Sequence, residues 1–278
     1  MVTGHLFFTY PKSLLLDGGE VSSSAGVDSS GVAGNVTITA TDVTVVNEGV
    51  LSTLSANANK AGVLRVTATG QITVDGLGSV ISSASIADVR GDAGEVFLTA
   101  GGLRLANGGA ITTNSVAGAA GDIDIRVPRP GLVILEGGEF PGLILTSSGP
   151  GTGGRITLAD PLAIISNGGR ILALGQQRGA NVLIQSRYFI NSTDRSNVLS
   201  VDGDFELQTG LYDVSSGTVA RELSVLDASK VLRGQCPAAR STGAVSQLIT
   251  RPVGPYAREG TVDVLERPQG SVGPGSCP

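Results

Sequence analysis

The residues of this chain that could do chemistry are few and scattered. Two carboxylates flank one glycine in Asp202-Gly203-Asp204, and two more alternate with aliphatics in Asp122-Ile123-Asp124, with Arg126 beside them. A glycoside hydrolase needs two or three carboxylates converging on one exposed face. A lyase needs a carboxylate-bound Ca²⁺ with a basic Arg or Lys close by. Neither group meets those demands from its spacing alone. Asp202-Gly203-Asp204 reads as a solvated turn, and Asp122, Asp124 and Arg126 as a surface charge ladder. The single histidine, His5, has no second histidine with which to share a metal. Gly-x-x-x-x-Gly-Lys-Ser/Thr is absent, and no Gly-x-Gly-x-x-Gly opens a helix, so no phosphate cradle is expected. The reading assigns no catalytic, cofactor-binding or metal-binding residue, and no cofactor. Cys236 and Cys277 form a candidate disulfide pair, with a free thiol as the open alternative.

The acidic and amide residues make sense once the elements that carry them are laid out. A unit of about 30 residues recurs at least six times. Each unit opens with a small residue and two aliphatics one residue apart, as in Gly34-Asn35-Val36-Thr37-Ile38, Gly94-Glu95-Val96-Phe97-Leu98 and Gly121-Asp122-Ile123-Asp124-Ile125. The pairs Val36/Ile38, Leu64/Val66, Val96/Leu98, Ile123/Ile125, Ile156/Leu158 and Val182/Ile184 supply twelve positions, all aliphatic. Their outward neighbours vary: Thr37, Arg65, Phe97, Asp124, Thr157 and Leu183. Period-2 alternation means strands.

A second strand follows, with inward pairs read as Val43/Val45, Ile72/Val74, Leu103/Leu105, Leu132/Ile134 and Leu162/Ile164. It ends at Asp17, Asn47, Asp75, Asn107, Glu136 or Asn167, each followed by glycine within two residues, as a stacked turn ladder. A third strand pairs an aliphatic with a small or hydroxylated residue: Val21/Ser23, Leu51/Thr53, Ile111/Thr113, Ile171/Ala173. That pairing suits a tight corner with Ser/Thr stacked between coils.

These features predict an all-β fold, a right-handed parallel β-helix (solenoid) with three short strands per coil of about 30 residues. Six or seven coils at about 4.8 Å each give a rod roughly 30 Å long. The expected organisation is a partial leading coil or leader over 1–13, β-helix repeats over 14–185, terminal coils and cap over 186–235, and a Pro/Gly-rich mobile tail over 236–278. The repeat is under way by Leu14 without a polar cap, which reads as a piece of a longer chain or a misplaced start. Nonapeptide Ca²⁺ rolls need Asp at a short fixed period, and the turn acids here stand about 30 apart. An ice-binding face needs paired Thr rows, and Thr37/Thr39 gives way to Arg65/Thr67, Phe97/Thr99 and Asp124/Arg126.

Composition narrows the classes. A net charge of −5 with pI near 4.9 argues against a nucleic-acid partner, which needs a clustered basic face. No apolar stretch approaches the roughly 18 residues of a membrane-spanning helix. A transmembrane barrel would carry aromatic girdles, whereas the chain has no Trp, four Tyr and six Phe.

The alternation of Gly-Asn-Val-Thr-Ile strands with Asn-Gly-Gly-Ala-Ile-Thr-Thr turns resembles the filamentous haemagglutinin-related exoproteins of two-partner secretion systems in Gram-negative bacteria. The resemblance covers about residues 14–257. Its more particular part is Tyr212-Asp213-Val214-Ser215-Ser216-Gly217 through Val231-Leu232-Arg233-Gly234-Gln235-Cys236, with Arg251-Pro252-Val253-Gly254-Pro255-Tyr256. It implies a secreted or cell-surface adhesin. Its partners would be an outer-membrane transporter, engaged through an N-terminal domain with no match here, and a host or sibling-cell glycan or matrix. The alternatives on the same fold are a β-helix polysaccharide lyase or hydrolase and a structural surface-layer protein.

Overall fold

A computed structural model describes residues 5–9, 12–86, 88, 90–175, 180–191, 198–200 and 203–211. Cys236 and Cys277, Asp202, and the particular haemagglutinin-like segment from 212 onward lie outside the described residues, as do the expected tail and the cap beyond Leu211.

The repeat folds as stacked coils of parallel strands. The first coil holds β1 (Leu6–Thr9), β2 (Leu14–Asp17) and β3 (Glu20–Ala25), and the second β4 (Val36–Ala40), β5 (Val43–Val46) and β6 (Val50–Ser55). In the next two coils the first and second strands fuse, as β7 (Leu64–Asp75) before β8 (Val80–Ser85), and β9 (Val96–Ala106) before β10 (Ala110–Ser115). Then come β11 (Ile123–Arg126), β12 (Leu132–Glu136) and β13 (Leu143–Ser148), followed by β14 (Ile156–Ala159), β15 (Ala163–Asn167) and β16 (Arg170–Leu174). The last coils carry β17 (Val182–Asn191), β18 (Val198–Ser200) and β19 (Phe205–Leu211). Among the described residues there is no helix. The third strands form one seven-stranded sheet, β3-β6-β8-β10-β13-β16-β18, so six turns separate its ends. Every inter-strand ladder in the stack is parallel, with partners between 23 residues apart (Val182↔Phe205) and 33 apart (Ile123↔Ile156). This is a parallel β-helix.

The alternating aliphatics fill its interior. The columns Val36-Leu64-Val96-Ile123-Ile156-Val182 and Ile38-Val66-Leu98-Ile125-Leu158-Ile184 stack in register. All twelve are buried in one continuous core. Each unit alone would leave that face in water, so burial by the neighbouring coil is what holds the fold.

Two inward pairs differ from the alternation read off the sequence. In β12 the buried residues are Val133 and Leu135, and Leu132 and Ile134 face outward. In the next coil Ile164 and Ser166 point inward while Leu162 is only partly buried. The stack fixes this frame: Val133 pairs with Leu103 and Ile164, and Leu135 with Leu105 and Ser166. Leu132 to Leu135 is an unbroken aliphatic run, so its own period could not select a face.

The corner after the second strand explains the Asn-Gly-Gly signature. Asn107 (φ 50°) and Gly108 (φ 90°) both take left-handed backbone, which Asn and Gly adopt most readily. A Cβ on Gly109 would stand 2.2 Å from the Val74 carbonyl oxygen in the coil before it.

The third strand carries a hydroxyl column, Ser23-Thr53-Ser83-Thr113-Thr146, aligned across coils and buried from Thr53 onward. These hydroxyls serve the glycine that opens each unit. The Ser23, Ser83 and Thr146 oxygens accept the N–H of Gly34 (3.0 Å), Gly94 (2.9 Å) and Gly154 (3.0 Å). Thr53 and Thr113 donate to the carbonyls of Gly62 (2.7 Å) and Gly121 (2.6 Å). A corner that turns inside the core thus keeps its peptide groups paired.

Candidate functional site

The residues singled out by chemistry alone do not converge. The Asp122 carboxylate accepts the backbone N–H of Arg155 at 2.7 Å in the next coil. Asp124 lies on the outer face between Phe97 and Thr157 in the ladder. Arg126 instead reaches Asp160, Nε to Oδ2 at 3.5 Å, so the three do not act as a trio. The Asp204 N–H donates to the Asn181 side-chain oxygen at 2.9 Å, and its carbonyl accepts Val182 N–H. His5 is exposed, and its Nδ1 accepts the Asn35 N–H at 3.3 Å. Among the described residues no three His, Cys, Asp or Glu side chains come together as a metal cluster.

The turn acids link coils. Asn47 donates to Asp17 and Asn107 to Asp75, each at 2.7 Å. Because Asp17 pairs in register with Val46 and Asp75 with Ala106, each link slants from an acid to the amide one step further along the next coil. Arg104 extends the second of these links. Its Nη1 donates to Asp75 at 2.8 Å, while Nε and Nη2 grip Glu136 as a fork at 2.9 and 2.8 Å. The Asn107 amide, with Arg104 second, holds the Asp75 carboxyl below its ordinary range, and Glu136, then Asp75, push the Arg104 guanidinium up. A carboxylate so held stays ionised and makes a poor general acid at neutral pH. Sequence reasoning reads Asp75 and Glu136 as turn residues and does not join them to Arg104, which stands between the inward Leu103 and Leu105.

The Thr row is longer than the paired Thr pattern suggested. Thr9, Thr39, Thr67 and Thr99 align in one exposed column that ends at Arg126. The flanking column does not repeat, and there Arg65 lies over the Phe97 ring at 4.1 Å.

One groove gathers ionisable and amide side chains from several coils. It lies at the corner between the first and second strands and has a volume of about 300 Å³, the small end of the range for ligand clefts. Arg129 and Asp160 line it from two coils, Gln185, Ser186 and Arg187 from the middle of β17, and Gln208 from β19. Asp160 holds a left-handed backbone (φ 70°), with its N–H on the Gln185 carbonyl at 3.0 Å. Gln185 donates to the Gln208 side-chain oxygen at 2.8 Å. Arg187 lies 5.4 Å from the Tyr188 ring centre. Nothing in the 30-residue pattern marked these residues, because they stand at a corner whose loops change length between coils. A smaller groove of about 230 Å³ is lined by Arg90, Asp92 and the loops at 117–119 and 150–152. There the Asp92 carboxylate accepts Ala119 N–H at 2.8 Å.

No family model, curated protein or solved structure matches this chain.

Proposed function

We propose that this chain is a non-enzymatic, adhesin-like exoprotein segment of the filamentous haemagglutinin type, secreted or held at a Gram-negative cell surface. Its task on this reading is to extend a rod and present a varied outer face. The observation that carries it is how the polar side chains are engaged. Asp17 with Asn47, Asp75 with Arg104 and Glu136, and Asp122 with Arg155 each bind one coil to the next. Such links stiffen a stack and leave its outer columns free to vary, as Thr37, Arg65, Phe97, Asp124, Thr157 and Leu183 do. A face of that kind suits many weak contacts with glycans, matrix or neighbouring cells, summed along the rod. The secretion route and the outer-membrane transporter come from the sequence resemblance.

A polysaccharide lyase or hydrolase is the second reading, and the corner groove is what favours it. Asp160 there stands beside Arg126, with Arg129 and Arg187 along the same groove, an acid next to bases on adjacent coils. One carboxylate does not make a hydrolase pair. The two readings separate in one experiment. The purified chain is applied to a glycan array and to cells while polysaccharide solutions are followed for new reducing ends and unsaturated products. Attachment without turnover is the expected result. Turnover abolished by Asp160→Asn would replace the adhesive reading with the enzymatic one, and ordered self-assembly without attachment would favour a surface layer.

A further inference from the structure

The groove on the corner between the first and second strands has a chemistry of its own. Among the described residues Asp160 is matched by Arg126, while Arg129 and Arg187 have no acidic partner. Both guanidinium groups are exposed. Two uncompensated cations on one groove stand out in a chain whose net charge is −5, because the molecule as a whole repels polyanions. Arginine presents a planar fork of donors that fits a carboxylate with two parallel hydrogen bonds.

The rest of the lining offers neutral hydrogen bonds. Gln185 donates one N–H to Gln208, and Gln208 donates one to Glu206. Each amide has a second N–H, and the Gln185 oxygen is a further acceptor. The Ser186 hydroxyl, buried in the lining, has no hydrogen-bond partner. Three main-chain N–H groups along the groove, by contrast, are already paired: Asp160 N–H goes to Gln185, Arg187 N–H to Pro161 and Tyr188 N–H to Leu162. An extended peptide that binds by adding a strand needs free backbone groups, and these three are occupied. Recognition here must run through side chains, with forks for carboxylates and amides for hydroxyls.

We propose that this corner groove binds a carboxylate-bearing oligosaccharide, a chain of uronic acid residues. Arg129 and Arg187 hold its carboxylates, and Gln185 and Gln208 bind its hydroxyls. The proposal rests on the adhesive reading only for its biological use, since binding itself can be measured without cells.

The test uses the full chain and short oligogalacturonates, with calorimetry as the readout. Their fully methyl-esterified counterparts serve as the neutral control, and oligoglutamate serves as an acidic peptide. The expected result is binding of the free acid that is at least tenfold tighter than that of the ester or the peptide. The pair Arg129→Ala with Arg187→Ala should weaken it at least tenfold, and Gln185→Ala to a smaller extent. Lysine at both arginine positions should restore part of the affinity, since charge returns without the fork. Arg170→Ala, at the exposed start of β16 in the other sheet, should leave binding unchanged. Far-UV circular dichroism checks that each variant is folded, and the lysine pair carries the test if the alanine pair is not. No binding, equal affinity for the ester or the peptide, or indifference to the arginine changes would overturn the proposal. A chain that attaches to cells while its arginine variants bind uronates normally loses the groove assignment and keeps the adhesive reading. Uronate binding at the groove with no attachment to cells or matrix does the reverse.

Discussion

A Cβ on Gly121 would stand 1.8 Å from the carbonyl oxygen of Gly94, one coil earlier in the stack. The relationship recurs along the stack: Gly62 against Gly34 at 2.1 Å, Gly94 against Gly62 at 1.9 Å, and Gly154 against Gly121 at 2.0 Å. These four units therefore open with glycine because the backbone of the preceding coil passes where a side chain would begin, whereas the unit of Val182 opens with Ala180. Gly121→Ala should shift the coils apart and cost about 3 kcal/mol, at the upper end for overpacking. Gly19→Ala is the control, since nothing lies within 4 Å of its Cβ. Urea unfolding of both variants checks this, and equal midpoints would contradict the steric account.

The hydroxyl column predicts a contrast within one strand. Ser83 accepts the buried Gly94 N–H and lies 3.0 Å from the Gly62 carbonyl, so Ser83→Ala removes the partner of a buried donor. The expected loss is about 1–3 kcal/mol. Ser82, its neighbour on the outer side of β8, should tolerate alanine within about 0.5 kcal/mol. Chemical denaturation resolves the two. Similar small losses would mean that the Gly94 N–H finds another partner.

Much of this architecture is legible in the sequence because strand alternation and coil stacking impose the same constraint. Twelve aliphatic positions one residue apart can be satisfied together only by a shared interior. Legibility ends where one of the two signals is silent. In Leu132-Val133-Ile134-Leu135 every residue is apolar, and only the stacking of Val133 on Leu103 picks the inward frame. At the corner groove the difficulty is spacing. Arg129, Asp160 and Arg187 come from three coils whose first strands are offset by 33 and then 26 residues, so no fixed interval connects them. Arg104 shows the same gap, since its two acids lie 29 and 32 residues away.

That inward frame is itself testable. Val133 is 1% exposed and sits between Leu103 and Ile164, so Val133→Asp would bury an unpaired charge and cost several kcal/mol, enough to unfold the coil. Ile134 faces outward beside Arg104 and Ile165, and Ile134→Asp should cost less than about 1 kcal/mol. The two variants differ by one position and carry the same new side chain. Thermal melting ranks them, and a more damaging change at 134 would reverse the assignment.

The link from Asp75 to Asn107 and Arg104 predicts a pH dependence whose sign follows from the shift. The Asn107 amide first, and Arg104 second, favour the ionised carboxyl and lower its pKa in the folded chain. The unfolded chain binds that proton at about pH 3.9. A depressed folded pKa adds stability that is fully present above the unfolded value. It is lost as pH falls through the folded value, where both states become protonated. Asp75→Asn removes that contribution, so the variant should be less stable than the parent at pH 7. The gap between them should hold down to about pH 4 and close below it. Comparing parent and variant at each pH cancels the titration of the other carboxylates, which both chains share. Salt should narrow the gap at pH 7 only in part, because the uncharged Asn107 amide donates directly to the carboxylate over 2.7 Å, a contact that ions screen less than the attraction between full charges. Urea midpoints measured across that range decide the matter. A gap that stays constant into acid would mean that Asp75 acts through shape alone, and no gap at neutral pH would mean that the bridge between coils adds nothing to the stack.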